Sequence, residues 1–299
     1  MHWLLSVPDT FSLREVVRRS GWFLYPPYHV LGSCDQLQRI ETLGTDHTVG
    51  LTVYQAPAGL VLQTDPHLSG QEIEEASQKV WRLLRLEENL QAFLRMARRS
   101  PALESVSRLG ARLVRGATLY EDVLTAAAIA WRVDGTLDRD RVATLVNRLG
   151  DPLPANPTLH SFPRPSHVLD NAALLDELFG AALAETFSWV ARVFAEHDRH
   201  VEALVRRPIS SGELEARLAH TLHLGPASMG LLMLNIGRYD YVPTDAAARY
   251  RLKQRLQIAD EVSRQDVQRF FEPWQPWGGL AYWLWDWSKV PESDELRFR

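Results

Sequence analysis

At 299 residues with 45% apolar side chains, the chain can bury one large core or two smaller ones, so two or three domains are expected. A net charge of −4 excludes the global electrostatic pull of a generic nucleic-acid binder, so a DNA role would have to rest on a local patch. The single cysteine, Cys34, excludes an internal disulfide or thiolate metal cage and suits a reducing cytoplasm; runs of about 18 uncharged apolar residues are absent, as is a basic, apolar leader ahead of Pro8, so neither a membrane span nor a signal peptide is expected.

In chain order, residues 1–68 hold the strand-forming sequence. Val49, Leu51 and Val53 alternate, and Ala56-Pro57-Ala58-Gly59 turns into a second apolar run, which predicts a β-hairpin. Ser69 and Glu72 have capping-box spacing ahead of a helix with Ile73, Ala76, Val80, Leu83 and Leu84 on one face. From there the pattern is almost all helical. Asp138 precedes a helix carrying Val142, Leu145, Val146 and Leu149, stopped by Gly150-Asp151-Pro152. The proline-rich stretch 151–165 predicts a long loop, and Ser166 opens further helices through about Arg206. Ser210 and Glu213 repeat the capping-box spacing before a helix that ends in a tight turn at His223-Leu224-Gly225. Pro226 suits the first position of a second helix and Gly237 its end, after which a loop delivers Asp245 to the run AAARYRLKQRLQ. The expected division is an α+β domain over 1–86 and an all-α domain over 87–299, the latter with room for two helical subdomains about a cleft.

Residues 221–245, TLHLGPASMGLLMLNIGRYDYVPTD, closely resemble the helix-hairpin-helix and following aspartate loop of the base-excision DNA glycosylase superfamily. The family pattern is roughly L-x-G-h-G-P-x-x-A and then D-x-h-P-x-D, with h apolar. Gly225, Pro226, Asp240, Pro243 and Asp245 match; His223 replaces the first hairpin glycine, and Met229 stands where a small alanine is usual. Other segments resemble the AlkA-type DNA-3-methyladenine glycosylases in order and spacing. PDTFSLREVVRRSGWF (8–23) is similar to the opening, with Gly21 matching and Trp22 replacing a glutamine. VWRLLRLEENLQAFLRMA (80–97) is similar to the joining helix, FPRPSHV (162–168) to an FPTPEAL segment, and EPWQPWGGLAYWLWDW (272–287) to the tryptophan-rich end. The resemblance covers nearly the whole chain. It implies a mostly α fold with an α+β N-terminal domain: a TATA-binding-protein-like N-terminal domain and a helical glycosylase body. It further implies a monomer acting on double-stranded DNA that carries a damaged base, in the bacterial cytoplasm on the nucleoid, with no membrane association.

Cleaving an N-glycosidic bond passes through an oxocarbenium-like sugar, which a nearby carboxylate stabilises while orienting water. The resemblance assigns that carboxylate to Asp245. From local pattern alone Asp245 reads as the N-cap of the helix that follows, and the two roles are compatible. The hairpin would hold phosphate through N–H groups of Leu224, Gly225 and Ala227, with Pro226 opening the helix N-terminus, and its carbonyls would hold a monovalent cation in the family manner; no other cofactor is implied. Bifunctional relatives attack with a lysine two residues after the second hairpin glycine, a position filled here by Ala227. Lysine occurs only at 79, 253 and 289, and Lys253 lies eight residues beyond Asp245, so a monofunctional enzyme is expected.

Such an enzyme must flip its target base from the stack. AAIAWRVDGT (127–136) occupies the family's wedge segment, which makes Trp131, Arg132 and Val133 candidates for filling the gap. Tyr239, Tyr241, Trp274 and Trp277 are candidates for stacking an electron-poor alkylated purine. Trp283, Leu284 and Trp287 read as core, and Gly278 stands where the family carries an arginine. His220 and His223 lack the partners of a metal site. Three readings of function follow: a monofunctional glycosylase for alkylated bases, a non-catalytic DNA-binding relative that recognises damaged or distorted DNA, or monofunctional removal of an oxidised or deaminated base.

Overall fold

The computed structural model describes residues 1–8, 11–19, 25–31, 35–44, 46–109, 111–131, 137–257 and 260–287. Gly21, Trp22, Cys34, Arg132 and Val133 lie outside the described residues, and of Trp131 only the backbone is described. The chain forms two compact units with interleaved segments: Met1–Glu88, Arg112–Ala128 and Arg139–Asp198 in the first, Asn89–Ala111, Ile129–Asp138 and Arg199–Arg299 in the second.

The first unit begins with β1 (His2–Leu5), α1 (Leu13–Arg19), β2 (Tyr28–Leu31), β3 (Gln36–Leu43), β4 (His47–Ala56) and β5 (Gly59–Gln63). The strands make one antiparallel sheet in the order β1-β5-β4-β3-β2. The expected hairpin is β4–β5, with Val53 opposite Leu62 and Ala56 opposite Gly59. Gly59 has φ +143°, and a β-carbon there would meet the Leu5 carbonyl oxygen at 2.5 Å, so glycine alone suits this turn. Val49, Leu51, Val53, Leu60 and Leu62 share a buried cluster with Leu13 and Val16 of α1 and with Ala76, Val80 and Leu83 of α2 (Gly70–Leu83). The Ser69–Glu72 box closes in both directions at the start of α2.

The stretch 80–97 is two helices rather than one. Arg85 adopts the left-handed region (φ +52°), and turn-closing bonds run from Arg85 N–H to Arg82 O (3.0 Å) and from Leu86 N–H to Trp81 O (3.1 Å). Arg112 donates to the Arg85 and Glu88 carbonyls, which accounts for carbonyls that a broken helix would leave orphaned. The second unit takes up the chain with α3 (Gln91–Ala97) and α4 (Glu104–Leu109), and the first resumes with α5 (Leu119–Ala128), buried along its whole length. Two-residue strands β6 (Ala130–Trp131) and β7 (Leu137–Asp138) pair in the second unit.

Back in the first unit, α6 (Asp140–Leu149) buries Val142, Leu145, Val146 and Leu149, as expected from their spacing. The stretch expected as a long loop contains a small hairpin of β8 (Pro152–Leu153) and β9 (Asn156–His160). Pro152 is tolerated because it opens a two-residue strand. Thr42 of β3 tethers the base of this hairpin by hydrogen bonds to Asp151 (3.0 Å) and Ser161 (2.8 Å). Then come α7 (Pro165–Asp170), α8 (Ala172–Phe179) and α9 (Ala181–Val205), the last with non-helical dihedrals at His197 close to the passage into the second unit.

The second unit continues with α10 (Ser211–Leu222), α11 (Pro226–Asn235), α12 (Ala246–Leu256), α13 (Arg264–Phe271) and α14 (Gly278–Leu284). Its buried residues include Leu214, Leu218, Leu222, Leu231, Leu232, Met233, Leu252, Val267 and Leu280. The fold is mostly helical with a small N-terminal antiparallel sheet, as the sequence pattern predicts. No described helix is long and apolar enough to cross a membrane.

Candidate functional site

The hairpin is built by four local signals. Ser210 caps α10, accepting from Glu213 N–H at 3.2 Å, and Leu214, Leu218 and Leu222 anchor the helix in the core. His223 ends it in the left-handed conformation (φ +53°, ψ +34°), which costs a residue with a β-carbon about 1–2 kcal/mol. Leu224 turns inward and is buried, while Gly225 and Pro226 stay exposed. Gly225 is the extended N-cap of α11 and Pro226 its first residue. The first N–H groups of α11 have no intrahelical acceptor, and Pro226 contributes none, so Gly225 and Ala227 present amides at an exposed helix start. With the turn adopted at His223 despite its side chain, main-chain carbonyls of the turn are what would hold a monovalent cation.

A tightly held loop links α11 to Asp245. Gly237 (φ +79°) closes α11: its N–H donates to Leu234 O (3.1 Å), and the Arg238 N–H donates to Met233 O (2.9 Å). The Arg238 guanidinium donates to the carbonyls of Ile209 (2.9 Å), Arg207 (2.9 Å) and Val205 (3.3 Å). Ser211 Oγ donates to Asp240 Oδ1 (2.8 Å), and Tyr241 Oη donates to Glu215 Oε1 (2.7 Å), both partners lying on α10. Burial, reinforced by the Glu215 bond and the charge of Asp245, pushes the Tyr241 phenol well above its ordinary pKa. Asp240 is thus a loop brace.

Glycines bring the other side of this loop into close contact. Gly279 N–H donates to Tyr239 O at 2.7 Å, and a β-carbon at Gly279 would collide with the Tyr241 carbonyl. A β-carbon at Gly278 would lie 2.9 Å from both Gln275 Nε2 and Val242 Cγ2, which explains why this position carries no long side chain. On α11, a β-carbon at Gly230 would stand 3.1 Å from Pro243. None of these close approaches was legible from local pattern; the consecutive glycines at the start of α14 were the available signal.

Asp245 follows directly. It is half-buried at the N-cap of α12, and its Oδ1 accepts from Ala248 N–H at 2.9 Å. Its Oδ2 accepts no hydrogen bond from a described residue. Burial raises the pKa of the Tyr282 phenol, and the Asp245 charge adds to that shift. Lys253 lies near the C-terminal end of α12, eight residues or about 12 Å of rise beyond Asp245.

The four candidate stacking residues separate. Tyr239 and Trp277 pair at 5.7 Å between ring centroids and 31° between planes, with Phe93 6.0 Å from Trp277. Trp274 sits edge-on to Trp285 at 5.9 Å, beside the cluster of Phe270, Phe271, Tyr282 and Trp287. Tyr241 is committed to Glu215. Leu284 is buried, Trp283 and Trp287 are half-buried, and α14 ends before Trp287. A cavity of about 530 Å³ flanks the loop, lined by residues including Glu215, Asp240, Tyr241, Thr244 and Glu272 but not by Asp245.

No protein-family model matches the sequence, and no curated protein sequence matches it. Solved structures do resemble it. A 3-methyladenine DNA glycosylase from Archaeoglobus fulgidus superimposes with a TM-score of 0.70 at 14% identity, over 94% of this chain and 96% of that one. An 8-oxoguanine glycosylase/lyase from Clostridium acetobutylicum in its apo form gives 0.64 at 15% identity, over 93% and 91%. The same enzyme in complex with double-stranded DNA containing cytosine opposite 8-oxoguanine gives 0.64 at 15%, over 93% and 90%. Together with the α10–turn–α11 hairpin and the loop that follows it, these likenesses establish that the chain has the helix-hairpin-helix DNA glycosylase fold.

Proposed function

We propose that the protein is a monofunctional DNA N-glycosylase that excises damaged, alkylated bases from double-stranded DNA and so initiates base-excision repair. The observation that carries the proposal is Asp245: a half-buried carboxylate at the end of a clamped loop, one oxygen held by the cap bond and the other without a partner among the described residues. In this reading the N–H groups of Leu224, Gly225 and Ala227 grip a phosphate at the helix start opened by Pro226. The target base leaves the stack, Trp131, Arg132 or Val133 fills the gap, and the base rests against aromatic faces, Tyr239 with Trp277 being better disposed than Tyr241 or Trp274. A bound monovalent cation would add positive charge at the turn.

A cationic alkylpurine departs with the electron pair of the broken C1′–N bond and needs no proton to become the neutral base. Asp245 stabilises the sugar cation left behind; water bonds to C1′ through oxygen and releases its proton by way of Asp245 to solvent. Ala227 supplies no amine and Lys253 is remote along α12, so the product is an intact strand with an abasic site. The protein would act as a monomer on nucleoid DNA in a bacterial cytoplasm.

The test uses end-labelled duplexes with single lesions (hypoxanthine, ethenoadenine, 8-oxoguanine, uracil) and methylated genomic DNA, with Asp245→Asn alongside. Asparagine caps a helix about as well as aspartate, so stability should change by under about 1 kcal/mol. Base release should fall by about 100-fold or more, as it does when a transition-state charge partner is lost. Strand breaks should appear only after alkali; breaks without it would overturn the monofunctional assignment. The second reading, a non-catalytic relative that recognises damaged or distorted DNA, is favoured by the net charge of −4 and by the cap bond that already employs Asp245. DNA binding with no base release from any substrate would establish it.

A further inference from the structure

We infer that Arg238 is a positioning residue: it closes the open end of the α10–α11 pair and thereby sets where Asp245 stands relative to the hairpin. The turn at 223–225 joins these helices at one end only. At the other end the chain leaves α11 through Gly237 and meets Arg238. The carbonyls that Arg238 engages belong to Val205, the last residue of α9, and to Arg207 and Ile209 in the link that leads to Ser210, the cap of α10. Carbonyls at a helix C-terminus carry partial negative charge, which favours a cation there. A planar guanidinium can serve three divergent acceptors at once, whereas a lysine ammonium is a single point.

Arg238 is also the first residue of the loop that ends at Asp245, and its own carbonyl accepts from Tyr241 N–H at 3.1 Å. The beginning of α10 and the beginning of the Asp245 loop are therefore fixed to each other through the Arg238 side chain, with Ser211–Asp240 and Tyr241–Glu215 as further braces between α10 and the loop. Phosphate gripping depends on the local turn, but a carboxylate acting at C1′ tolerates little displacement. A misplacement of about 1 Å can cost about 100-fold in rate. Loss of the clamp should thus slow chemistry while sparing DNA affinity. The catalytic half of this inference rests on the glycosylase reading; the brace itself does not.

The experiment compares the full-length protein with Arg238→Lys and Arg238→Ala. Three readouts are taken: amide hydrogen exchange, duplex affinity, and single-turnover base release on the best substrate. In Arg238→Lys, release should fall by about tenfold or more, with Kd within about threefold of the parent. Exchange should quicken at 205–211 and 238–245 and stay unchanged in β3–β5. Guanidinium at about 10 mM should restore part of the lost rate in Arg238→Ala, because it replaces the missing fork. Parental exchange in Arg238→Lys would overturn the brace. Quickened exchange with a parental rate, or equal losses in rate and affinity, would overturn the positioning of Asp245. Should the parent itself release no base, the glycosylase reading fails, and the exchange result still decides the brace. If Arg238→Ala does not fold, Arg238→Lys decides alone.

Discussion

The first unit is pinned by buried charge, the second by main-chain contacts around its loop. Arg39 on β3 donates to Glu41 and, at 2.6 Å, to Glu121 on α5, with its guanidinium 4.5 Å from the centre of the Tyr28 ring. Lys79 on α2 reaches Glu41 at 3.3 Å, and Arg82 reaches Asp122 at 2.5 Å. Burial raises the Glu121 carboxyl above the usual carboxylate range; burial would raise Glu41 too, but Arg39 and Lys79 outweigh it and hold Glu41 low. In the second unit, by contrast, the loop to Asp245 is held by one guanidinium on main-chain carbonyls, by amide and glycine contacts, and by the hydrogen bonds Ser211–Asp240 and Tyr241–Glu215, with no buried ion pair among these contacts. Charge pairs choose their partners strictly but tolerate loss of a member poorly.

The sharpest way to break this contrast is Arg39→Met, which takes the guanidinium from buried Glu121 and leaves Glu41 with Lys79 alone. Stability should fall by about 3–5 kcal/mol in urea or guanidinium titrations at pH 7. The loss should shrink as pH is lowered, because Glu121, already raised by burial, takes up its proton at a higher pH than an ordinary carboxyl. A loss below about 1 kcal/mol at pH 7 would mean that the cluster is incidental to stability.

In the second unit the corresponding change is Gly279→Ala, which adds no charge yet drives a methyl into the Tyr241 carbonyl. Overpacking of this kind should cost about 1–3 kcal/mol, and base release should fall more than DNA affinity because the displaced loop carries Asp245. Equal stability and rate would show that the close approach is slack.

The smallest effect expected is at the start of α2 in the first unit, where Glu72 is partly buried. Glu72 is held down to about 2 by hydrogen bonds from Ser69 and by His47 at 2.5 Å. A carboxyl depressed in the folded state contributes stability above its ordinary pKa, and that contribution drains away as pH falls from about 4.5 towards about 2. Glu72→Gln should flatten the acid limb of stability across that window, and an NMR titration placing the Glu72 midpoint at its ordinary value would refute the assignment.

Much of this was legible in the residues themselves. The Ser69–Glu72 box, the β4–β5 hairpin and the spacing of Val142, Leu145, Val146 and Leu149 all act within a few residues, so pattern and structure agree there. The segment 80–97, which its resemblance makes a single joining helix, is broken where Arg85 enters the left-handed region, and the break is secured by Arg112 from 27 residues downstream. The stretch 151–165 misled because its prolines obscured a strand pair stabilised by Thr42, more than a hundred residues away.

By itself the sequence determined the helix-hairpin-helix with its capped ends, and Asp245 at the head of α12, because caps, turns and left-handed residues are decided by side chains within one or two helical turns. Only the tertiary structure decided what holds that aspartate in place. Arg238 finds its carbonyls about thirty residues upstream, Gly279 finds the Tyr239 and Tyr241 backbone about forty upstream, and Arg39 finds Glu121 eighty-two residues on. Each partner is chosen by packing across long chain separations, and no local periodicity records that choice.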